Sequence, residues 1–354
     1  MKKLKNNIVV NNFPKILLFL FVVIILSIIS VRLLFPSHAQ TPFTKNEARL
    51  GTITSPASTF TDNAAPGGFG VQFGSTSSSS IAHIMIIMME NHSIGNIIGN
   101  STLPYINNTL GNNYPQLTNS FATGHPSLPN YMTITSGTTS GINSDCGPGP
   151  GCQGTTNLVK QLDTAGISWG AYMENMPSAG YTGGDTGGSD GLGNQYYIQH
   201  HNPFVYYPDL ASELITHDKP YTSMMADLNS STPPAFIFIA PNMVDNMHDG
   251  PLSVGDTWLS RQIPLIQATN WYKQNGQILL TWDEGIASDS AGFNGTNGGH
   301  IAGLFISQAQ LKGPDYTTSF NQAGLLGSIE KAYGVPYLNN VSNPANGSLS
   351  IIAP

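Results

Sequence analysis

The stretch Ile84-Met85-Ile86-Ile87-Met88-Met89-Glu90-Asn91-His92 is an apolar run that ends in three polar residues able to bind a metal ion. Two further runs have the same form: Ala235–Ala240 is followed by His248-Asp249, and Ile278–Trp282 is followed directly by Asp283-Glu284. Runs that are apolar on both faces are typical of strands buried in a parallel sheet. Because open α/β sheets place their sites beyond the carboxyl ends of the strands, the three runs predict one shared metal site.

The segments between these runs predict helices. Apolar residues recur at helical spacing over Thr156–Ala165, Asp256–Asn270 and Gln322–Tyr333. A further strand is predicted over Ile167–Met173, ending at Glu174. Strands that alternate with helices predict an α/β fold with a mostly parallel central sheet.

Composition and charge indicate a protein that works outside the cytoplasm. Only 9% of the 354 residues are charged, well under the usual quarter. The net charge of −7 is mild, and no cluster of Lys and Arg follows the N-terminal segment. Nucleic acid is therefore not expected as a partner.

The N-terminal segment has the form of an export signal. Four lysines (Lys2, Lys3, Lys5 and Lys15) precede the apolar stretch Ile16–Val31, and Ser37-His38-Ala39 offers small residues for cleavage. Residues 1–39 are predicted to be a cleaved signal peptide or, if uncleaved, a membrane anchor. The expected location is extracytoplasmic, either secreted or anchored to the membrane through this segment.

The rest of the chain divides by composition. Residues 40–80 are rich in Ser, Thr, Gly and Pro and predict a linker, residues 81–338 predict the catalytic domain, and residues 339–354 predict a polar tail. Residues 176–207 predict a loop over the site. Cys146 and Cys152 flank a short Gly/Pro segment and predict a local disulfide, because a metal-binding pair would lack partner cysteines.

Ser127 is the candidate nucleophile. It lies in Gly124-His125-Pro126-Ser127-Leu128-Pro129-Asn130-Tyr131, where the prolines favour the start of a helix. The free N–H groups of a helix N-terminus favour an alkoxide and bind a phosphoryl oxygen. A serine at this point is more often only a helix cap. The three strand-end clusters shift the interpretation towards a nucleophile.

Several segments together resemble the bacterial phosphoesterase family, which contains acid phosphatases and phospholipase C enzymes. They are Met89–Ser93, His125–Tyr131, Ala171–Pro177, His201–Phe204, Asn246–Asp249 and Thr281–Gly285. The resemblance covers residues 81–338 and implies an alkaline phosphatase-like three-layer α/β/α fold with a covalent phosphoserine or phosphothreonine. Ser127–Asn130 is also similar to the Thr-Phe-Pro-Asn nucleophile segment of nucleotide pyrophosphatase/phosphodiesterases, which supports Ser127 over Ser93.

Four residues are predicted to bind one divalent metal ion, whose identity the sequence does not give. Glu90, Asn91, Asp283 and Glu284 offer hard oxygen ligands. Taken singly, Glu90 or Asp283 would be read as a helix cap or surface turn, and Asn91 as a turn residue. Their shared position at strand ends favours the metal site.

Further candidates are predicted to handle phosphate. His125, His201 and His248 are candidates for binding phosphate oxygens and protonating the leaving group. Asp249 is either a metal ligand or a partner that orients His248. Glu174 is a further site carboxylate or an ion-pair partner, and His300 is a site residue or a histidine at a strand entry.

One position departs from the family pattern. Many members carry a histidine where this chain has Gln322, which favours one metal over two. The sequence as a whole predicts an exported, metal-dependent, acid-phosphatase-like phosphomonoesterase acting on a phosphate ester. A phospholipase C-type phosphodiesterase is the alternative, and a catalytically inert surface-binding protein is the alternative of another class. The sequence does not predict the oligomeric state.

Overall fold

The computed structural model describes residues 57–61, 69–73, 82–187 and 195–352. The chain forms two compact units, Met1–Ser78 and Ser79–Pro354. In the first unit, β1 (Ala57–Thr61) pairs antiparallel with β2 (Phe69–Phe73). The predicted export segment lies outside the described residues. Within the described ranges, every helix is too short or too polar to cross a bilayer.

The second unit is built from short strands and helices. Its strands are β3 (His83–Met89), β4 (Ser120–Phe121), β5 (Trp169–Met173), β6 (Thr186–Gly187), β7 (Gln195–Tyr197), β8 (Asp218–Pro220), β9 (Phe236–Ala240), β10 (Gly276–Trp282), β11 (His300–Ile301), β12 (Gly303–Ser307) and β13 (Phe320–Asn321). Its α-helices are α1 (Ile94–Ile97), α2 (Gly111–Asn113), α3 (Ser127–Ser136), α4 (Leu158–Thr164), α5 (Leu214–His217), α6 (Met224–Leu228), α7 (Leu252–Gln267), α8 (Asn270–Lys273) and α9 (Gln322–Tyr333). A π-helical turn covers Tyr105–Leu110, and 3₁₀ turns cover Gln199–His201, Pro203–Tyr206, Pro208–Leu210, Tyr221–Ser223 and Pro344–Asn346.

The central sheet confirms the predicted parallel arrangement. Its six strands lie in the order β12-β10-β3-β9-β5-β8, and β3 pairs in parallel with both β10 and β9. The register sets Met89 opposite Trp282, so β3 and β10 end at the same level. Only β12 is antiparallel to its neighbour among these strands. The strand that His300 was expected to enter is divided in two, because β11 pairs with β4 in a second sheet whereas β12 pairs with β10.

Alternate residues of β3 face two separate cores, which explains why the whole run is apolar. Ile84, Ile86 and Met88 pack with buried residues of α3, α4 and α9 on one face. Met85, Ile87 and Met89 pack with buried residues of α7 and α8 on the other. Helices therefore cover both faces of the sheet, and the three-layer α/β/α architecture is confirmed.

Two predicted boundaries differ from the structure. The helix expected over residues 256–270 begins earlier, directly after Pro251, and is followed by the separate helix α8. The final residues are not simply a polar tail, since Val341, Leu349 and Ile352 are buried in the same core as α9. These apolar side chains are spaced too widely along a polar stretch to give a periodic signal in the sequence.

Candidate active site

Ser127 is the first residue of α3, as predicted. Residue Pro126 precedes the helix, and the Ser127 side chain is almost fully buried, with 3% of the residue exposed. Its hydroxyl donates a hydrogen bond to Glu90 Oε2 at 3.2 Å. The side-chain amide of Asn91 lies 3.5 Å from the same hydroxyl oxygen. The helix N-terminus and the end of β3 thus meet at Ser127.

Glu90 is placed by the end of β3 and is completely buried. The Tyr131 hydroxyl, one turn along α3 from Ser127, donates a hydrogen bond to Glu90 Oε1. His201 Nε2 lies 3.5 Å from the same oxygen. Burial, and then the nearby carboxyl of Asp283, raise the pKa of Glu90 well above its ordinary value.

Asp283 and Glu284 follow the end of β10 and lie beside Glu90. The Asp283 N–H donates to the carbonyl of Met89 at 2.9 Å, which ties the two strand ends together. Asp283 Oδ1 accepts from the Asn91 N–H at 3.0 Å, whereas its buried Oδ2 has no hydrogen-bond partner among the described residues. Burial raises the pKa of Asp283. Burial and the Asp283 carboxyl raise that of Glu284 to about 9.

Asn91 connects the carboxylates with a histidine. Its backbone is left-handed (φ 52°), a conformation that asparagine tolerates better than most residues. The amide satisfies its neighbours when Nδ2 donates to Glu284 Oε1 at 3.2 Å and to Glu90 Oε2 at 3.3 Å. Oδ1 then accepts from His248 Nε2 at 2.9 Å.

The three predicted histidines all reach this cluster, but in different ways. His125 has both ring nitrogens engaged, with Nδ1 2.9 Å from Glu284 Oε2 and Nε2 2.9 Å from the Asp289 carbonyl. His248 Nδ1 lies 2.7 Å from Asp249 Oδ1. His201 is buried and stacks on Tyr131 at 5.2 Å, and its Nε2 has no hydrogen-bond partner within the described part of the chain. Burial lowers the pKa of His201.

Comparisons with known proteins identify the family of the chain. The model of the family described as "Phosphoesterase family" matches residues 100–336. The chain belongs to this family. It is a phosphoric ester hydrolase, and its place in the family confirms the resemblance inferred from the strand-end and Ser127 segments.

Curated relatives are phosphatases. The phosphoesterase is 29% identical to a phosphatidylinositol-3-phosphatase of Mycobacterium tuberculosis over 75% of this chain and 81% of that protein. It is 31% identical to a phosphate-repressible acid phosphatase of Penicillium chrysogenum over 65% of this chain and 54% of that protein. For an acid phosphatase of Aspergillus fumigatus the identity is 32%, over 67% of this chain and 52% of that protein. The chain thus spans about half the length of these fungal relatives.

A solved structure supports the fold. A protein of the alkaline phosphatase superfamily from Vibrio parahaemolyticus superposes with a TM-score of 0.50 at 13% identity, over 72% of this chain and 66% of that chain. The match confirms the alkaline phosphatase-like fold expected from the resemblance.

Two predicted substrate ligands have contacts elsewhere in the phosphoesterase. Glu174 accepts hydrogen bonds from the Asn242 N–H at 3.0 Å and from Trp258 Nε1 at 3.1 Å, and burial raises its pKa to about 7. His300 opens β11, with Nε2 2.7 Å from the Thr118 carbonyl and its ring stacked on a phenylalanine. These contacts do not join either residue to the Ser127 cluster, and their substrate roles stay predictions.

Several residues that hold the cluster were not singled out from the sequence. Gln322 Nε2 donates to the Asp283 carbonyl at 2.7 Å, and Gln322 Oε1 accepts from the Thr123 hydroxyl at 2.6 Å. Asn130 Nδ2 donates to Glu284 Oε2 at 3.4 Å. Asn130 lies within the conspicuous Ser127 segment, so its position was a usable signal. Gln322 was noticed only as a departure from the family pattern, and here it supports the backbone of Asp283.

The donor set fits a divalent cation. Within the described ranges, no group of three or more His, Cys, Asp and Glu side chains is already gathered as a formed metal site. The Asn91 amide and the Ser127 hydroxyl lie among the carboxylates. The unpartnered Oδ2 of Asp283 and the crowding of three buried carboxyls are what a bound cation would relieve. Glu90, Asp283 and Glu284 are therefore chemically suited to hold one, and Asn91 joins them when its amide is turned so that Oδ1, rather than Nδ2, faces the carboxylates.

Proposed function

We propose that this phosphoesterase is an exported, metal-dependent phosphomonoesterase that acts through a phosphoserine at Ser127. The observation that carries the proposal is the position of the Ser127 hydroxyl. It lies at the N-terminus of α3, 3.2 Å from Glu90 Oε2, beside a buried cluster of carboxyl groups. A serine that served only as a helix cap would bond to the N–H groups of its own helix rather than to this cluster.

In this proposal Ser127 Oγ attacks phosphorus, and the bond between phosphorus and the ester oxygen breaks as the new P–O bond forms. The leaving oxygen takes a proton from one of the histidines of the cluster, His125, His201 or His248. His125 and His248 have partners at both ring nitrogens, whereas His201 Nε2 has no hydrogen-bond partner among the described residues. Asp249 orients His248 through Nδ1. The hydroxyl proton that Ser127 gives up on attack replaces, through solvent, the one that the histidine has lost. Water then attacks the phosphoserine, and the P–Oγ bond breaks as phosphate forms. Ser127 Oγ takes up one proton of that water.

A divalent ion held by Glu90, Asn91, Asp283 and Glu284 would lower the pKa of the serine hydroxyl and offset charge on the phosphoryl oxygens. The N–H groups at the start of α3 favour the same negative charge. The chain's own part is to keep these donors buried and fixed, through Tyr131 on Glu90 and Gln322 on the Asp283 backbone.

Monoesters are the proposed substrates because two of the curated relatives are named acid phosphatases and a third is named a phosphatidylinositol phosphatase. Export is supported by the N-terminal sequence and by the disulfide between Cys146 and Cys152, since such bonds persist mainly in oxidising compartments. Phosphodiesters remain the alternative substrate class, and a panel containing both esters separates the two.

The nucleophile is tested by Ser127→Ala with Ser93→Ala as the matched control. Ser93 also lies near the cluster, but its hydroxyl donates to Asp289 at 2.6 Å. S127A is expected to lower kcat by at least about 10³-fold, because the covalent route is lost. S93A should stay within about tenfold of the wild type. Trapping of ³²P on the wild-type protein at low pH, and its absence from S127A, would identify the attacking residue. Phosphate release by S127A at the wild-type rate would refute the assignment.

Metal dependence is tested on the same preparation. Elemental analysis is expected to find a divalent ion in the purified protein, and chelation should abolish turnover until a divalent ion is restored. Full activity in chelated protein that contains no metal would refute that part of the proposal. Comparison of phosphomonoesters, phosphodiesters and phosphoinositides in the same assay would define the substrate class.

A further inference from the structure

Asp145 lies beside the nucleophile although it comes from a different loop. It directly precedes Cys146, whose disulfide to Cys152 closes a short loop. Asp145 Oδ1 accepts a hydrogen bond from the Leu128 N–H at 2.9 Å, and Leu128 is the residue after Ser127. Pro126, which precedes α3, has no side-chain group that could cap the helix. A carboxylate carried by the disulfide loop thus occupies one of the free N–H groups at the helix start.

The disulfide loop is held in place from two sides. The Tyr206 hydroxyl donates to the Cys146 carbonyl at 2.8 Å. Cys152 is buried in the core beneath. The Asp145 side chain is 30% exposed, so it keeps contact with solvent while its inner oxygen faces the helix.

Little positive charge offsets Asp145. Among the described residues its ion-pair partner is His200, with Nε2 3.9 Å away. Burial lowers the pKa of His200, which favours the neutral ring near neutral pH. Among the described residues, the charge of Asp145 also raises the pKa of Glu284, Tyr131 and Tyr206. None of these three groups is a cation. His200 also faces a second carboxylate, Asp185.

We propose that Asp145 is a specificity-determining residue that disfavours dianionic phosphate esters relative to monoanionic ones. The inference rests on the proposed function at Ser127 and adds the ionisation state of the substrate to it. A phosphate monoester loses its second proton near pH 6, whereas a diester carries one negative charge throughout. A fixed negative charge beside the attacked phosphorus repels the dianion more strongly than the monoanion. Monoester turnover would therefore favour acidic conditions.

The alternative is a purely structural role, in which Asp145 only caps α3. A cap would position Ser127 equally for every ester, so its loss would lower both activities in parallel at all pH values. Charge selection predicts instead a change confined to monoesters and to the pH range in which they become dianions. The two roles therefore differ in pH profile rather than in overall activity.

The test is Asp145→Asn, assayed with p-nitrophenyl phosphate and bis(p-nitrophenyl) phosphate at pH 5 and pH 7.5. The second compound serves as substrate or, if it is not turned over, as competitive inhibitor. Asparagine retains an oxygen for the Leu128 N–H and removes the charge. The measured quantity is the ratio of kcat/KM at pH 7.5 to kcat/KM at pH 5. For the monoester we expect this ratio to be about three- to tenfold higher in D145N than in the wild type, mainly through KM. The corresponding ratio for the diester should not change.

Asp315→Asn is the matched control. Asp315 likewise accepts a backbone hydrogen bond, from the Gln116 N–H at 3.0 Å, and its other partner is Lys312, so the variant has the same net charge without touching the site. It should keep the wild-type profile. An unchanged monoester ratio in D145N, or parallel changes for the two esters, would overturn the proposal.

A second measurement needs no variant. Salt screens a partly exposed charge such as that of Asp145. Raising the ionic strength from 0.05 to 0.5 M should therefore weaken the preference of the wild-type enzyme for acidic pH when it hydrolyses the monoester. The pH dependence of diester hydrolysis should not change. An acid preference that is insensitive to salt would overturn the proposal. If the wild type hydrolyses neither ester, the proposed function itself fails. An active wild type with an unaltered D145N profile rejects only the role of Asp145.

Discussion

The carboxyl groups at the ends of β3 and β10 and the carboxyl of Asp218 in β8 are equally buried but differ in their surroundings. Glu90 and Asp283 are fully buried side by side, burial raises the pKa of both, and the Asp283 carboxyl raises that of Glu90 further. Asp218 is alone at the edge of the sheet, where Asn202 Nδ2 donates to it at 2.7 Å. A single buried carboxyl is accommodated by keeping its proton. Asp218 Oδ1 lacks a hydrogen-bond partner just as Asp283 Oδ2 does, so the two regions differ in the crowding of carboxyls alone. Crowding of buried carboxyls indicates a bound cation, and crowding rather than burial therefore marks the site.

The comparison is most severely tested by Asp283→Asn. We expect turnover to fall by at least about 10³-fold and the bound metal to be lost, because the variant removes a central oxygen ligand of the proposed ion. The chelated variant should nevertheless melt no lower than the chelated wild type, since a buried carboxyl without a partner for Oδ2 destabilises the empty site. Activity assays, elemental analysis and thermal melts measure these three quantities.

Asp218→Asn is the matched control for that experiment. It neutralises an equally buried carboxyl that has one amide partner, so it should retain both metal and turnover. Stoichiometric metal and nearly normal turnover in D283N would show that the crowded cluster does not hold the functional metal. Loss of activity in folded D218N would show that the single buried carboxyl of Asp218 also matters for function.

Much of the cluster follows from the sequence because parallel register is simple geometry. Two runs that are apolar on both faces must lie inside the sheet, and their carboxyl ends then meet, as Met89 and Trp282 do. The same reasoning does not by itself place Glu174 beside the cluster. It also follows a strand, β5, but β9 separates β5 from β3. The apolar pattern does not determine the order of the strands in the sheet. A position at the end of a strand therefore does not by itself show how far a residue lies from the site.

Loop contacts were harder to predict for a different reason. Thr123 and Gln322 are 199 positions apart, and the Asp145 contact with Leu128 depends on how a Gly/Pro loop closes. Neither has a periodic pattern, so neither contact could be placed from composition or spacing. Ser127 could be predicted because Pro126 and Pro129 mark the start of its helix in the local sequence.

Asp218 makes its own prediction about stability and pH. Burial raises its pKa to about 7 in the folded protein, against about 3.9 in an unfolded chain. The folded state therefore keeps a proton that the unfolded state releases. Its stabilising contribution is complete below about pH 4 and is lost as the pH rises through about 7.

The shift in the pKa of Asp218 sets an upper limit on its contribution to the free energy of unfolding. That limit is on the order of 4 kcal/mol. Urea denaturation of the wild type and D218N at pH 4.5, 6 and 7.5 measures it, with the difference between the two proteins isolating Asp218 from every other group. The free energy of unfolding of D218N should fall less between pH 4.5 and 7.5. Parallel curves for the two proteins would show that Asp218 ionises alike in both states.

The smallest effect is expected from Glu174→Gln, which tests where the site ends. Glutamine keeps an oxygen for the Asn242 N–H, and the carboxyl, with a pKa raised to about 7, is already partly protonated at neutral pH. We expect kcat/KM to stay within about threefold of the wild type. Glu90→Gln is the matched comparison, because it makes the same change in a carboxyl that contacts Ser127 and should abolish turnover. If E174Q lowers kcat/KM for monoesters by more than about tenfold at unchanged melting temperature, Glu174 takes part in substrate binding. The functional edge of the sheet would then extend past β9 to β5, and the crowding of carboxyls would mark the metal position alone.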